Sequence, residues 1–168
     1  STNAPIIWDR GQRTIAHARW GFPYGFKKGI VINARSDTIM NKPMFKNSFY
    51  SARCVIPANL YYEWKDEGGR KKVKHGIGLQ DNNLISLGGI YKISMDDNQI
   101  QQMTFVIITT EAQEDIKTIH SRMPIIINDD LLDPWLNQNT PINEIQEILK
   151  YSFNNKFAIQ RFEDPSIN

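Results

Sequence analysis

Met103-Thr104-Phe105-Val106-Ile107-Ile108 is an apolar run of β-branched and aromatic residues between turn signals, and it reads as a buried strand. Leu84-Ile85-Ser86-Leu87 reads the same way. Thr14-Ile15-Ala16-His17-Ala18-Arg19-Trp20 and Lys72-Val73-Lys74-His75-Gly76-Ile77-Gly78-Leu79 alternate apolar with polar, as half-buried strands do. The polar stretches Asp66-Glu67-Gly68-Gly69-Arg70 and Asp96-Asp97-Asn98 are rich in turn formers and predict hairpin loops. Helices are fewer. One is predicted from Lys42 to Phe49, with Pro43 in a first-turn position. The clearest helical signal runs from Thr110 to Ile119, with Glu111, Glu114 and Asp115 in or near its first turn. Asp129 to Leu136 and Pro141 to Tyr151 complete the set, the latter carrying a stripe of Ile142, Ile145, Ile148 and Leu149. Strands with helices set between them predict an α+β fold: a single domain over residues 1–168, built on a mostly antiparallel, closed or nearly closed β-sheet with a few flanking helices.

Composition narrows the function classes. A chain of 168 residues, 40% hydrophobic and 23% charged, has the make-up of one soluble globular domain with a sizeable core. A net charge of +2 does not by itself call for nucleic acid, although a basic groove is compatible with it. A lone cysteine, Cys54, excludes an internal disulfide and fits a cytoplasmic protein. No signal peptide, membrane-length apolar run, zinc-type cysteine–histidine spacing or glycine-rich phosphate loop is present. Neither metal nor cofactor is expected, nor a membrane partner, and the expected state is a monomer.

Three separated segments gather polar chemistry: Asn33-Ala34-Arg35-Ser36-Asp37-Thr38, Tyr61-Tyr62-Glu63-Trp64-Lys65 and Ile119-His120-Ser121-Arg122-Met123-Pro124. Together they supply an amide, a guanidinium, a carboxylate and an imidazole, the make-up of a site assembled by folding. Asn33 and Arg35, two apart, share a face if they lie on a strand. An amide there can hydrogen-bond a sugar hydroxyl or an amine, and a guanidinium can clamp a phosphate; a turn asparagine and a surface ion pair with Asp37 are the plainer readings. Glu63 between aromatics is either buried, with its pKa raised, or outward-facing on a strand whose alternation groups it with Tyr61. His120 is either a structural histidine or a proton carrier near neutral pH. Cys54, before Val55-Ile56-Pro57, reads as a small packed hydrophobe and not as a nucleophile.

The three segments, in this order, resemble the SOS-response-associated peptidase (SRAP) family, with Lys42-Pro43-Met44-Phe45 and Arg53-Cys54-Val55-Ile56-Pro57-Ala58 at family-like positions between the first two. The resemblance covers about Asn3 to Trp135. It implies a protein of the DNA-damage response that recognises abasic sites in single-stranded DNA and bonds to them covalently, with associated self-processing peptidase chemistry. It assigns catalytic roles to Asn33, Glu63 and His120, which would orient groups and shuttle protons. It assigns DNA contacts to Arg35, Phe26, Pro5 and Thr109: a phosphate clamp, a base-stacking ring, a residue beside the lesion and a site threonine. Core packing is an equally open reading for Phe26. The family's nucleophile is a cysteine following the initiator methionine, with Gly-Arg after it, whereas this chain begins Ser1-Thr2-Asn3. Asn3-Ala4-Pro5 resembles a family element that normally lies a few tens of residues into the chain, so the segment carrying the nucleophile is expected to be missing here. Asp37 stands where the family commonly has glutamate. The alternatives are a non-covalent single-stranded DNA-binding module or catalytically defective copy, and a thiol peptidase pairing Cys54 with His120.

Overall fold

The computed structural model describes residues 2–24, 29–68, 72–81, 84–95, 98–151, 153 and 156–162. Phe26, Gly69, Arg70, Asp96 and Asp97 lie outside these described residues. In chain order the elements are β1 (Asn3–Asp9), β2 (Arg13–Trp20), β3 (Phe22–Pro23), β4 (Ile30–Val31), β5 (Asn33–Arg35), α1 (Pro43–Ser51), β6 (Arg53–Ala58), β7 (Leu60–Asp66) and β8 (Lys72–Leu79). They continue with β9 (Ile85–Met95), β10 (Gln101–Glu111), α2 (Glu114–Lys117), β11 (Arg122–Pro124), a 3₁₀ turn at Asp129–Leu131, α3 (Leu132–Leu136), α4 (Ile142–Lys150) and β12 (Phe157–Phe162).

Strands β10, β2, β1, β6 and β9 pair in that order, and β9 pairs back onto β10, so the sheet closes into a five-strand ring. All these pairings are antiparallel except β2 with β10, where Arg19 and Trp20 run parallel to Thr104 and Phe105. Closure leaves no free edge within the ring. Alternation then sorts side chains. Ile6, Ala18, Cys54, Ile56, Leu87, Tyr91, Phe105 and Ile107 fill the interior, together with Tyr61 and Ile77 from a second sheet ordered β12-β8-β7. On the outer wall, Val55, Ile90, Val106 and Ile108 pack against Phe45 and Phe49 of α1, Trp135 of α3 and Ile145 and Ile148 of α4. The expected α+β domain on a closed, mostly antiparallel sheet is therefore the observed one.

One buried cation fixes the helical layer. Arg53, at the start of β6, faces outward and is almost fully buried. Its guanidinium donates to the carbonyl oxygens of Phe49 (3.0 Å) and Tyr50 (2.9 Å) in the last turn of α1, and to those of Trp135 (2.8 Å) and Asn137 (2.6 Å) at the end of α3. Those carbonyls have no intrahelical donor, and the negative ends of two helix dipoles offset the buried charge. Burial still pushes the Arg53 pKa down to about 10.

The strongest helical signal in the sequence is helical over only four residues. Thr110 and Glu111 stay in β10, paired with Met123 and Arg122 of β11, and only Glu114–Lys117 turns helically. Acidic residues suited to a first turn are not enough where ladder partners are available from a distant segment.

Candidate functional site

Beyond Ile107, β10 changes neighbours on both edges. On one side β9 pairs with it as far as Ile107, and β11 takes over from Thr109. On the other, β2 pairs at Thr104 and Phe105, and β5 takes over in parallel, with Asn33 opposite Ile107, Ala34 opposite Ile108 and Arg35 opposite Thr109. Ala34 and Ile108 belong to the outer core, so Asn33, Arg35 and Thr109 all present to the interior side, at the end of the barrel. This short β5-β10-β11 sheet is where the first and third motif segments meet.

A polar network ties it together. Arg35 donates to both carboxylate oxygens of Asp37, from Nε at 3.2 Å and from Nη2 at 2.7 Å. Arg122, from β11, donates through Nη2 to the Thr109 carbonyl at 2.6 Å and brings Nη1 within 3.9 Å of the same Asp37. The Arg122 side chain is 17% exposed against 62% for Arg35, so Arg122 is held in place while Arg35 reaches into solvent. The Arg122 Nε–H is buried without an acceptor among the described residues. Arg35 holds the Asp37 carboxyl below its ordinary value, and burial lowers the Arg122 pKa.

Glu63 arrives from β7. Tyr62 and Trp64 face solvent while Tyr61 points into the core, so alternation turns Glu63 toward the interior side as well. Burial raises its pKa; His120 and a hydrogen bond from the Trp64 backbone N–H pull it back down. His120 follows α2, and its Nδ1 lies 3.9 Å from Glu63 Oε2. The same nitrogen sits 3.0 Å from the Arg122 carbonyl and 3.1 Å from the Arg122 N–H. Whichever tautomer is present, one of these backbone groups occupies Nδ1, and Nε2 is left for proton exchange.

Glu63 and His120 thus meet, and His120 is linked through Arg122 to Thr109, Asp37 and Arg35. Asn33 lies on the same face two residues before Arg35 but makes no hydrogen bond to Glu63 or His120. Pro5 is not part of the group: it points outward from β1, opposite His17, while its neighbours Ala4 and Ile6 point inward. Phe26 lies outside the described residues. Cys54 is fully buried inside the barrel, and burial pushes its pKa up, which disfavours the thiolate. Arg122 is the site residue to which the sequence reading gave no role. Its signal was a second arginine in a histidine-containing motif, but what it does depends on which strand it lands beside. Among the described residues no cluster of metal-ligating side chains occurs, and no helix is long and apolar enough to cross a membrane.

The model of the SOS response associated peptidase (SRAP) family matches residues 1–164. The chain belongs to that family. It is 37% identical over 150 residues to the abasic site processing protein YoaM of Bacillus subtilis, covering 86% of this chain and 66% of that protein. It is 35% identical over 151 residues to the abasic site processing protein YoqW of Bacillus phage SPbeta, covering 86% of this chain and 67% of that protein. The chain therefore spans about two thirds of the length of these curated relatives. A crystal structure of a Bacteroides thetaiotaomicron protein superposes with a TM-score of 0.83 at 29% identity, covering 97% of this chain and 75% of that one.

Proposed function

We propose that this chain recognises abasic sites in single-stranded DNA, with the opened sugar at Glu63 and His120 and the neighbouring phosphate on Arg35 and Arg122. The observation that carries the reading is the approach of His120 to a half-buried Glu63 at 3.9 Å, beside two arginines that share one aspartate. Relatives named abasic site processing proteins support it. An abasic deoxyribose in its open form presents an aldehyde, a 3′ phosphodiester and no base. A carboxyl with a raised pKa beside an imidazole suits proton transfer at that aldehyde carbon, and the guanidinium groups suit the phosphate.

The covalent step takes an N-terminal cysteine. Its α-amine adds to the aldehyde and water leaves, giving an imine; the thiol then adds to the imine carbon and the nitrogen takes a proton, closing a thiazolidine. Glu63 and His120 hold the protons that move. Cys54 cannot do this, because an internal residue has no free α-amine and its thiol is sealed in the barrel. The same burial opposes a thiol peptidase built on Cys54 and His120.

The test compares binding of an abasic and an intact single-stranded oligonucleotide of the same length. Tighter binding of the abasic strand, lost in Glu63→Gln and His120→Ala, supports the reading. Equal affinity for the two strands would leave only a general single-strand binder.

A further inference from the structure

The wall that carries Glu63 continues away from His120. In the sheet β12-β8-β7, Glu63 pairs with His75 of β8, and His75 pairs with Arg161 of β12. Tyr61, Ile77 and Phe157, on the same three strands, belong to the interior cluster, so alternation turns Glu63, His75 and Arg161 to that side as well. Neighbouring strands stand about 4.8 Å apart, which sets Arg161 about 10 Å from Glu63 at the backbone. His75 is buried between them, and its Nδ1–H donates to the Val73 carbonyl at 3.0 Å. A carbonyl oxygen only accepts, so the proton sits on Nδ1 and the ring is held as a floor between the two strands.

Two cations stand on this side of the sheet. Arg161 Nη1 lies 3.2 Å from Glu67 Oε1, and Glu67 follows β7 directly, so the guanidinium reaches back across β8 toward the strand of Glu63. The pair is open to solvent, with 52% of the Arg161 side chain and 33% of the Glu67 side chain exposed. Lys65, two residues after Glu63, takes the same face and makes no ion pair among the described residues. The arrangement repeats that of Arg35 with Asp37. On each side of the Glu63–His120 pair, an exposed arginine is held only by a nearby acid.

We infer that Arg161 and Lys65 form a second phosphate subsite, which takes a backbone phosphodiester of a single strand on the far side of Glu63 from Arg35 and Arg122, with Glu67 as its counter-ion when no strand is bound. A phosphodiester accepts from the guanidinium and the ammonium together, and an exposed carboxylate gives way to it at little cost. The ligand is a strand and not free phosphate because the face is open. Cations on such a face hold an anion poorly unless it is tethered, and a strand anchored on Arg35 and Arg122 supplies the tether. With the opened sugar at Glu63 and His120, as proposed above and on which this subsite rests, the strand is gripped on both sides of the lesion by phosphates that loss of a base leaves intact.

The test titrates an intact oligothymidylate into the whole chain at several salt concentrations, as parent, Arg161→Gln, Arg161→Lys, Glu67→Gln and Arg13→Gln. Arg13 begins β2, which runs parallel to β10, so it lies at the end of the barrel away from Thr109 and controls for loss of one surface charge. Arg161→Gln should lose about threefold or more in affinity and about 0.7 in the slope of log affinity against log salt, while Arg161→Lys keeps the slope. Glu67→Gln should bind about twofold tighter or more, and Arg13→Gln should match the parent. Inorganic phosphate at fixed ionic strength should leave the melting temperatures of parent and Arg161→Gln unmoved; a rise in the parent alone would overturn the strand as the ligand. Affinity and slope in Arg161→Gln equal to those of the parent, or a loss no larger than in Arg13→Gln, would overturn the subsite. Preference for an abasic strand over the intact one is measured separately, so Arg161 can fail while that preference stands, and the reverse. No binding of either strand would overturn both.

Discussion

His120 Nδ1 and Glu63 Oε2 stand 3.9 Å apart, brought together from the turn after α2 and from the middle of β7. Burial dominates the Glu63 environment and raises its pKa from 4.5, so the folded protein binds that proton more tightly than the unfolded chain does. Stability from this group is therefore fully present below pH 4.5 and is lost as pH rises through the folded value. Glu63→Gln has no such loss. Melting temperatures of parent and variant should agree in acid and diverge in the variant's favour above pH 4.5, reaching a plateau toward neutrality. A constant gap across the series would mean that Glu63 is not held above its ordinary value.

Asp37 competes with any phosphate for Arg35, since it accepts from both Nε and Nη2. Asp37→Asn should tighten oligonucleotide binding, by about two- to fivefold, because it frees the guanidinium from an exposed ion pair. Arg35→Ala should weaken binding and reduce the slope of log affinity against log salt by about 0.7, the single-strand value for one phosphate contact. Fluorescence anisotropy at several salt concentrations measures both. An unchanged slope in Arg35→Ala would remove the phosphate role.

Arg122→Ala should cost more than Arg35→Ala. It removes a contact already anchored on the Thr109 carbonyl, which keeps only the Ser36 N–H, and leaves Asp37 to Arg35 alone. His120 keeps its partners in this variant, because they are the Arg122 backbone carbonyl and N–H. Arg122→Lys keeps the charge but not the planar fork, so it should recover the salt slope and only part of the affinity. Full recovery by lysine would show that geometry is unimportant at this position.

Arg53→Met should destabilise the fold strongly, on the order of 3 kcal/mol or more, because the carbonyls of Phe49, Tyr50, Trp135 and Asn137 lose their donor together. The denaturant midpoint should drop in proportion, while oligonucleotide affinity under folding conditions stays near parent. A small change would mean that the methionine chain packs well enough to replace the guanidinium.

Cys54 should be inert to thiol reagents in the native state and react at the rate of barrel opening. Rapid native labelling would contradict its place in the interior.

The strands of the barrel were legible because alternation and apolar runs depend on each residue's own face, and the buried stripe of α4 showed for the same reason. The orientation of Glu63 was legible too: period-two geometry groups it with Tyr61, and the remaining question was only which face is inside. The length of β10 was not. Thr110 and Glu111 look like the start of an acidic helix until β11 is in place, and that pairing is set by a loop and a histidine motif farther along the chain. Arg122 escaped notice for a related reason. Its meaning comes from register between strands distant in sequence, which no local pattern encodes.

The change of partners along β10 gives the Glu63–His120 end a mechanical character unlike the rest of the barrel. Arg35 and Arg122 sit on three-residue strands clamped to one projecting beam, while the ring behind them is closed and braced by helices. Such a cantilever should fray first under thermal or chemical load, and its backbone amides should exchange with deuterium ahead of those at Phe105 or Ile90. Activity could then fade before any probe of the hydrophobic interior registers unfolding, and a strand of DNA resting on both arginines would act as a splint across the short strands.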